Sequence, residues 1–472
     1  MGLRRNVLGL HWIVFLVLSA AAPLVVIAGG VPVAMLLGNG AGLPACFGLA
    51  MLILLVFAVG YTEMAHHVRN AGAFYAFAAR GLGGMAGGAT ATIALASYVA
   101  MLMGLYGLFG SALSEAIGTT LHVRIAWGPC ALGGLAAVSL LGYRQVDLSA
   151  RILALLVGCE YLIVLYLDLR VLLAAGDSGI STVSFTPAAF TAGSPWIALL
   201  LSFSAFVGFE ATTIYSEEAR DPARTVPLAT YLSVIVLGLF YMLSSWCVVV
   251  AVGAGKLLPT MGALEAPTAL LFSISDRYAG PIATLLMRGL FVTSVFAGLL
   301  AFHNAVSRYG FALGREGLLP GPLAATHPRH KSPHVASSAQ SALLAGLLGT
   351  AIIASADPVL TLFGTMSGIG TLGVLVLMTI ASAAVIGFFA RRRDTGIAPW
   401  RRRLGPGLAA AALLAVCGLA CLHFDALSGT TGALAWLAPL VVPAAGGAGL
   451  VLAARLRHRA PERFQALGEN AR

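Results

Sequence analysis

Apolar residues run through this chain in long stretches parted by short polar ones, without the alternation of a half-buried strand or the single stripe of a soluble amphipathic helix. Twelve stretches can be drawn, at about residues 11–38, 44–65, 85–112, 126–143, 149–174, 195–216, 228–252, 281–307, 335–354, 359–390, 406–423 and 434–454. Each is close to the roughly 20 residues that carry a helix across a bilayer. The pattern predicts an all-α integral membrane protein of twelve transmembrane helices, forming one domain over residues 1–472. It divides into helices 1–5 (about 11–174), helices 6–10 (about 195–390) and a separate pair, helices 11 and 12 (about 406–454).

Composition sharpens this. Hydrophobic residues make up 59% of the chain and charged residues only 10%, where a soluble domain carries about 25% charged residues. A large soluble catalytic domain is thereby excluded. The net charge of +10 would suggest nucleic acid if it were spread over a soluble surface. With the N-terminus inside, however, 23 of the 28 basic residues fall in cytoplasmic segments, so the excess follows the positive-inside rule. The chain is therefore expected to be a multi-pass protein of the cytoplasmic (inner) membrane with both termini in the cytoplasm, and no nucleic-acid partner is implied. Only Lys256 and Lys331 are lysines, a bias expected of GC-rich bacterial codon usage. The six cysteines lie in apolar stretches without CxxC spacing and read as small hydrophobes. Arg4, Arg5 and Ser19-Ala20-Ala21-Ala22 also fit a signal peptide with its cleavage site, but the apolar run continues through Pro23 to Leu37 at spanning length.

Two segments are interrupted. Segment 1 carries Ala28-Gly29-Gly30-Val31-Pro32 and segment 6 carries Val207-Gly208-Phe209-Glu210. Glycine weakens a helix by about 1 kcal/mol and proline by about 3 kcal/mol, so both are expected to unwind near mid-membrane. They occupy corresponding places in two five-helix halves, the pattern of a transporter built from inverted repeats with its substrate at the breaks. Glycine-mediated helix packing is the alternative reading of either site alone.

Three stretches carry a family resemblance. Gly60-Tyr61-Thr62-Glu63-Met64 followed by Asn70-Ala71-Gly72-Ala73-Phe74-Tyr75 is similar to the helix 2 to helix 3 loop of the amino acid/polyamine/organocation transporter superfamily. Phe203 to Glu210, then Ser216-Glu217-Glu218-Ala219-Arg220-Asp221-Pro222 and Thr225-Val226-Pro227, resembles its helix 6 and the loop beyond. Asn304 to Arg308 and Gly314-Arg315-Glu316-Gly317-Leu318-Leu319-Pro320 resemble the end of its helix 8. The resemblance implies a leucine-transporter-like five-plus-five fold with two extra helices and alternating-access transport of amino acids or related amines. It also implies a site. The substrate carboxylate would meet backbone amides at Ile27, Ala28, Gly29, Gly30 and Val31. The ammonium would meet carbonyls at Phe203, Ser204, Ala205 and Phe206 beside Gly208, with Phe206 as a gate or a packing aromatic. Where many relatives carry a mid-membrane lysine in helix 5, this chain has Glu160.

An unpaired carboxylate at mid-membrane is costly, so Glu160 should carry a proton or be paired. It is expected either to bind the coupling proton or to complete a cation site with Thr293 and Ser294; a structural pairing, for instance with Arg288, is the other reading. Asp168 is the expected structural partner of Arg288. Glu210 is expected to cap the second half of helix 6. Glu217, Glu218 and Arg69 are gate candidates at the inner mouth, or members of a solvated charge cluster.

Other signals point nowhere further. Gly176-Asp177-Ser178-Gly179 lacks the framework of a serine hydrolase. Gly253-Ala254-Gly255-Lys256-Leu257 lacks the hydroxyl residue of a phosphate loop. His327, His330 and His334 have ligand-like spacing, but Pro328 and Pro333 break their alignment and Arg329 and Lys331 repel a cation. No metal or cofactor is expected beyond a coupling proton or sodium ion. A membrane enzyme would need a convergent nucleophile and base, and a channel would need filter loops or charged rings; neither pattern is present. The expected partners are the lipid bilayer and a small amino acid or amine, neutral or small polar, with a polyamine or organocation as the alternative.

Overall fold

The structure, a computed structural model, describes residues 9–68, 74–144, 150–176, 179–210, 212, 220–328, 330, 332–392, 396–429 and 436–468. Among these residues there is helix and no strand. Helices lie at each apolar segment and are labelled accordingly. The first is broken into α1a (Leu10–Ala20) and α1b, which combines the π-helical Val25–Gly30, the α-helical Val31–Ala34 and the π-helical Met35–Asn39. Then follow α2 (Leu43–His67), α3 (Gly84–Leu121), α4 (Trp127–Tyr143), α5 (Ala150–Leu173) and α6a (Pro195–Ser204). The remainder are α7 (Pro222–Val252), α8 (Pro281–Glu316), α9 (His334–Ile353), α10 (Pro358–Ala390), α11 (Gly405–Leu422) and α12 (Leu437–Arg459). Eight helices among the described residues are long and apolar enough to cross a bilayer; α1a, α4 and α6a are shorter apolar helices.

The long α3 is the hub. It packs against α4, α8, α10 and α12, while α2 packs on α7. Small residues make these approaches possible. A Cβ on Gly107 would come within 2.5 Å of the Pro358 carbonyl, and one on Gly110 within 2.6 Å of the Trp127 carbonyl. In lipid the hydrophobic effect gives helices no reason to associate, so close backbone contact and interhelical hydrogen bonds must do so. Tyr75, on the short helix Phe74–Leu82, bonds to Glu316 at the end of α8, tying that connecting helix to the bundle.

The breaks differ in position from expectation. Ala28 to Pro32 is helical, and the chain turns instead at Ala21-Ala22-Pro23, where Ala22 adopts φ +43°. Pro23 lacks an N–H and disfavours helical geometry in the residue before it. Pro32 is accommodated because the π turns around it re-satisfy backbone groups that a regular α-helix would leave unpaired. The sixth helix does stop where expected: α6a ends at Ser204 and Gly208 takes φ +110°.

Candidate functional site

The two breaks meet around a cavity of about 80 Å³, several times the roughly 10–15 Å³ that one water needs. Ala21, Ala22, Val25 and Val26 bring the first break to its wall; Leu201, Ser204 and Val207 bring the second. Met101 and Leu105 of α3, Phe302 of α8 and Phe363 of α10 close the sides. Ser204 and Ser367 are the hydroxyl side chains on a wall that is otherwise apolar or glycine, with no ionisable side chain among the lining residues. Two of the four π-helical stretches among the described residues, 25–30 and 358–365, reach this wall, and such turns are frequent at functional sites. A void of about 10 Å³ lies nearby between Phe203, Phe206, Phe209 and α10.

The first break is clamped by other helices. The Tyr241 hydroxyl of α7 donates to the Ala21 carbonyl at 3.2 Å, and the Tyr161 hydroxyl of α5 stands 3.5 Å from the Leu18 carbonyl. On the far side of the turn, the Leu24 amide donates to Glu160 Oε2 at 3.3 Å. Ser294 of α8 donates to the same oxygen at 2.8 Å. Glu160 is 2% exposed, and among the described residues no ion pair involves it. It therefore joins α1, α5 and α8 through one carboxylate oxygen.

The second break is closed mainly by its own chain. Phe206, Val207 and Phe209 amides bond three residues back, to Phe203, Ser204 and Phe206. Glu210 folds back so that Oε2 accepts from the Gly208 amide at 2.8 Å, while Oε1 accepts from Tyr98 of α3 at 3.2 Å. The Tyr61 hydroxyl of α2 donates to the Glu210 carbonyl at 3.2 Å. Glu210 thus holds the break itself; the expected cap on a second half-helix falls on residues 211 and 213–219, outside the described residues.

The structure brings only some of the expected site residues together. Gly30 and Ser204 line the main cavity, and Phe203 and Phe206 line the smaller void. Ile27, Ala28, Gly29, Val31, Ala205 and Gly208 are on neither wall, and Ile27, Ala28 and Val31 are buried in packing. Phe206 sets its edge against the Tyr241 ring, 6.1 Å between centroids. Ser294 joins Glu160, but Thr293 does not. It is exposed and donates to the Leu290 carbonyl, because adjacent residues on a helix point about 100° apart. Arg288 pairs with neither Glu160 nor Asp168; it bonds Glu115 of α3 at 2.5 Å and lies 4.4 Å from the Phe272 ring centroid. Asp168 instead accepts from Ser244 of α7 at 2.6 Å, a hydroxyl within reach of its short side chain. Arg69, Glu217 and Glu218 lie outside the described residues. His327, His330 and His334 gather round Tyr143 despite the intervening prolines, yet no group of His, Cys, Asp or Glu among the described residues is arranged to hold a metal ion.

Reasoning from sequence missed the Ala21–Pro23 turn, although Pro23 inside an apolar run was its signal. It also missed the four tyrosines that brace the breaks. Met101, Leu105, Phe302 and Phe363 carried no signal, since an apolar residue facing a cavity reads the same as one facing lipid.

Two broken helices meeting at a cavity within a helical bundle are the arrangement of membrane transporters, and the permease family and transporter relatives of this chain make it a transporter, not an enzyme. Comparison with known proteins gives the family. The chain belongs to the amino acid permease family, whose sequence pattern matches residues 8–444, within the amino acid/polyamine/organocation superfamily. It is 28% identical over 364 residues to the branched-chain amino acid permease BcaP of Bacillus subtilis (strain 168), covering 72% of this chain and 73% of that one. It is 25% identical over 193 residues to the low-affinity putrescine importer of Escherichia coli (strain K12), covering 41% of this chain and 39% of that one. Its fold is similar to that of a mutant manganese transporter of Eremococcus coleocola, with a TM-score of 0.54 and 14% identity over 95% of this chain and 96% of that one.

Proposed function

We propose that this protein is a secondary active transporter of neutral amino acids with apolar side chains, working by alternating access with twelve membrane spans in a five-plus-five inverted repeat plus two. One observation carries the reading: a cavity lined by both helix breaks whose remaining wall is apolar, with only Ser204 and Ser367 offering side-chain hydroxyls. The main chain at the breaks and these hydroxyls would take the substrate's charged groups, while the apolar wall takes its side chain. A polyamine would need an anionic partner, and no lining residue is a carboxylate. The branched-chain specificity named for the Bacillus subtilis relative agrees with this chemistry.

Coupling falls to Glu160 in the same reading. Two hydrogen bonds do not offset the cost of a buried, unpaired negative charge, so the carboxyl takes a proton when the site is dehydrated and releases it to water when the site opens. Because the Leu24 amide rests on Glu160 Oε2, gaining or losing that proton changes a contact of the break that lines the cavity. The protein would sit in the inner membrane with both termini cytoplasmic, and Phe206, Arg69, Glu217 and Glu218 remain proposed gate residues.

The test is a thermal-stability screen of the purified protein in detergent with leucine, isoleucine, valine, lysine, glutamate and putrescine, with and without sodium. A ligand that binds only the folded state stabilises it by about 2.7 kcal/mol at one hundred times its Kd. Stabilisation by the branched-chain set alone is expected. Stabilisation by putrescine or lysine alone would overturn the substrate assignment, and a strict sodium requirement would overturn the proton assignment.

A further inference from the structure

Adjacent glycines on α1b have opposite surroundings. A Cβ on Gly29 would come within 2.8 Å of the Leu108 side chain, so Gly29 lets α1b pack against α3. A Cβ on Gly30 would meet nothing within 4 Å, and Gly30 lines the cavity. Gly298 of α8 has the same two properties: open space where its side chain would be, and a place on the cavity wall. It lies one turn along α8 from Ser294, the residue bonded to Glu160. Neither glycine is needed for close packing, and Gly30 has ordinary helical angles (φ −70°, ψ −46°) that alanine adopts freely. Both sit inside helices, where alanine is the better former. Local folding physics therefore favours alanine at both positions, whereas cavity volume favours glycine.

We infer that Gly30 and Gly298 set the upper size of the substrate side chain, each leaving a methyl-sized share of the cavity open for it. The inference rests on the functional reading above and deepens it. Bulk added at either position takes space from the ligand while the helices around it stay in place. The effect should fall on large substrates and spare small ones, since one methylene in an apolar pocket changes discrimination by about 10- to 200-fold.

The experiment is competition uptake in proteoliposomes containing wild type, Gly30→Ala, Gly298→Ala or Gly298→Val, with alanine, valine and leucine as competing substrates. Gly29→Ala serves as the packing control. Thermal melting of each protein separates folding from selectivity. The expected result is that Gly298→Val melts near wild type and lowers kcat/KM for leucine at least tenfold relative to alanine, with Gly298→Ala and Gly30→Ala shifting the ratio the same way by less. Gly29→Ala should lower the melting temperature without changing the ratio. Unchanged leucine-to-alanine ratios in well-folded Gly30 and Gly298 variants would overturn the inference and leave the functional reading intact. A wild type that takes up none of the three amino acids would overturn that reading, and the inference with it.

Discussion

The two broken helices reach one cavity but are held in different ways. At the first break Ala22, which is not a glycine, is forced to φ +43°, and its neighbours are gripped by side chains from elsewhere: Tyr241 from α7, and Tyr161 and Glu160 from α5. At the second, Gly208 adopts φ +110° with no side chain to strain, three-residue turns carry the chain round, and Glu210 two residues on takes the freed amide. Both turns have backbone bonds of their own, Ala22 to Ser19 at the first and Phe206 to Phe203 at the second, but they are tied to different helices: the first to α5 and α7 and, through Glu160, to α8. The second is anchored to α2 and α3 by Tyr61 and Tyr98. In the proposed function, the first break, with the Glu160 and Ser294 link, would pass a change in the protonation of Glu160 to the cavity.

Substitutions that separate the two carboxylates should give the largest difference. Glu160→Gln keeps an acceptor for Leu24 and Ser294 but has no proton to exchange, so gradient-driven uptake should fall at least tenfold while substrate exchange survives. Glu210→Gln keeps the acceptor for Gly208, so the pH profile of uptake should stay that of wild type. Equal loss of pH dependence in both variants would erase the distinction. Removing the acceptor altogether is a different test. Glu160→Ala leaves the buried Leu24 amide and Ser294 hydroxyl without their partner, an expected cost of about 1–3 kcal/mol read by chemical or thermal unfolding.

Backbone substitutions come next and should have opposite signs. Ala22→Gly removes strain from a left-handed residue and should stabilise the protein by up to about 1 kcal/mol, whereas Gly208→Ala should destabilise it by about 1–2 kcal/mol. Melting temperatures that move in the same direction would show that the two turns are not held as described. The smallest effects belong to the single hydroxyls. Tyr241→Phe and Tyr98→Phe should each cost about 0.5–1.5 kcal/mol. Only Tyr241→Phe, at the break bonded to Glu160, should also alter the exchange rate.

The long helices were legible in the sequence because a bilayer demands about 20 apolar residues per crossing, a requirement that periodic ambiguity does not blur. The break in helix 6 was legible for a similar reason: Gly208 is the residue that a left-handed turn calls for. The break in helix 1 was misplaced by several residues because Gly29, Gly30 and Pro32 looked like stronger interrupters than Ala22 and Pro23. Their effect is absorbed by π turns, which are a property of tertiary packing rather than of composition. Glu160 was set beside Thr293 and Ser294 by the family resemblance, as one of the readings of that carboxylate, and of the two hydroxyls only Ser294 faces it. The pairing of Arg288 with Glu115 could not be read in advance, because it depends on the rotation of α8 against α3. The cavity wall itself was invisible in the sequence, as Met101, Leu105 and Phe363 differ from neighbouring packing residues only in what they face.

The most direct test is leucine uptake into proteoliposomes under an imposed pH gradient, acid outside, comparing wild type with Glu160→Gln and repeating each with a sodium gradient at equal pH. The account predicts that acid outside drives accumulation by wild type, because protons load Glu160 from that side, and that Glu160→Gln exchanges leucine but does not accumulate it. Accumulation by Glu160→Gln at the wild-type level, or accumulation by wild type that follows sodium and ignores pH, would contradict it.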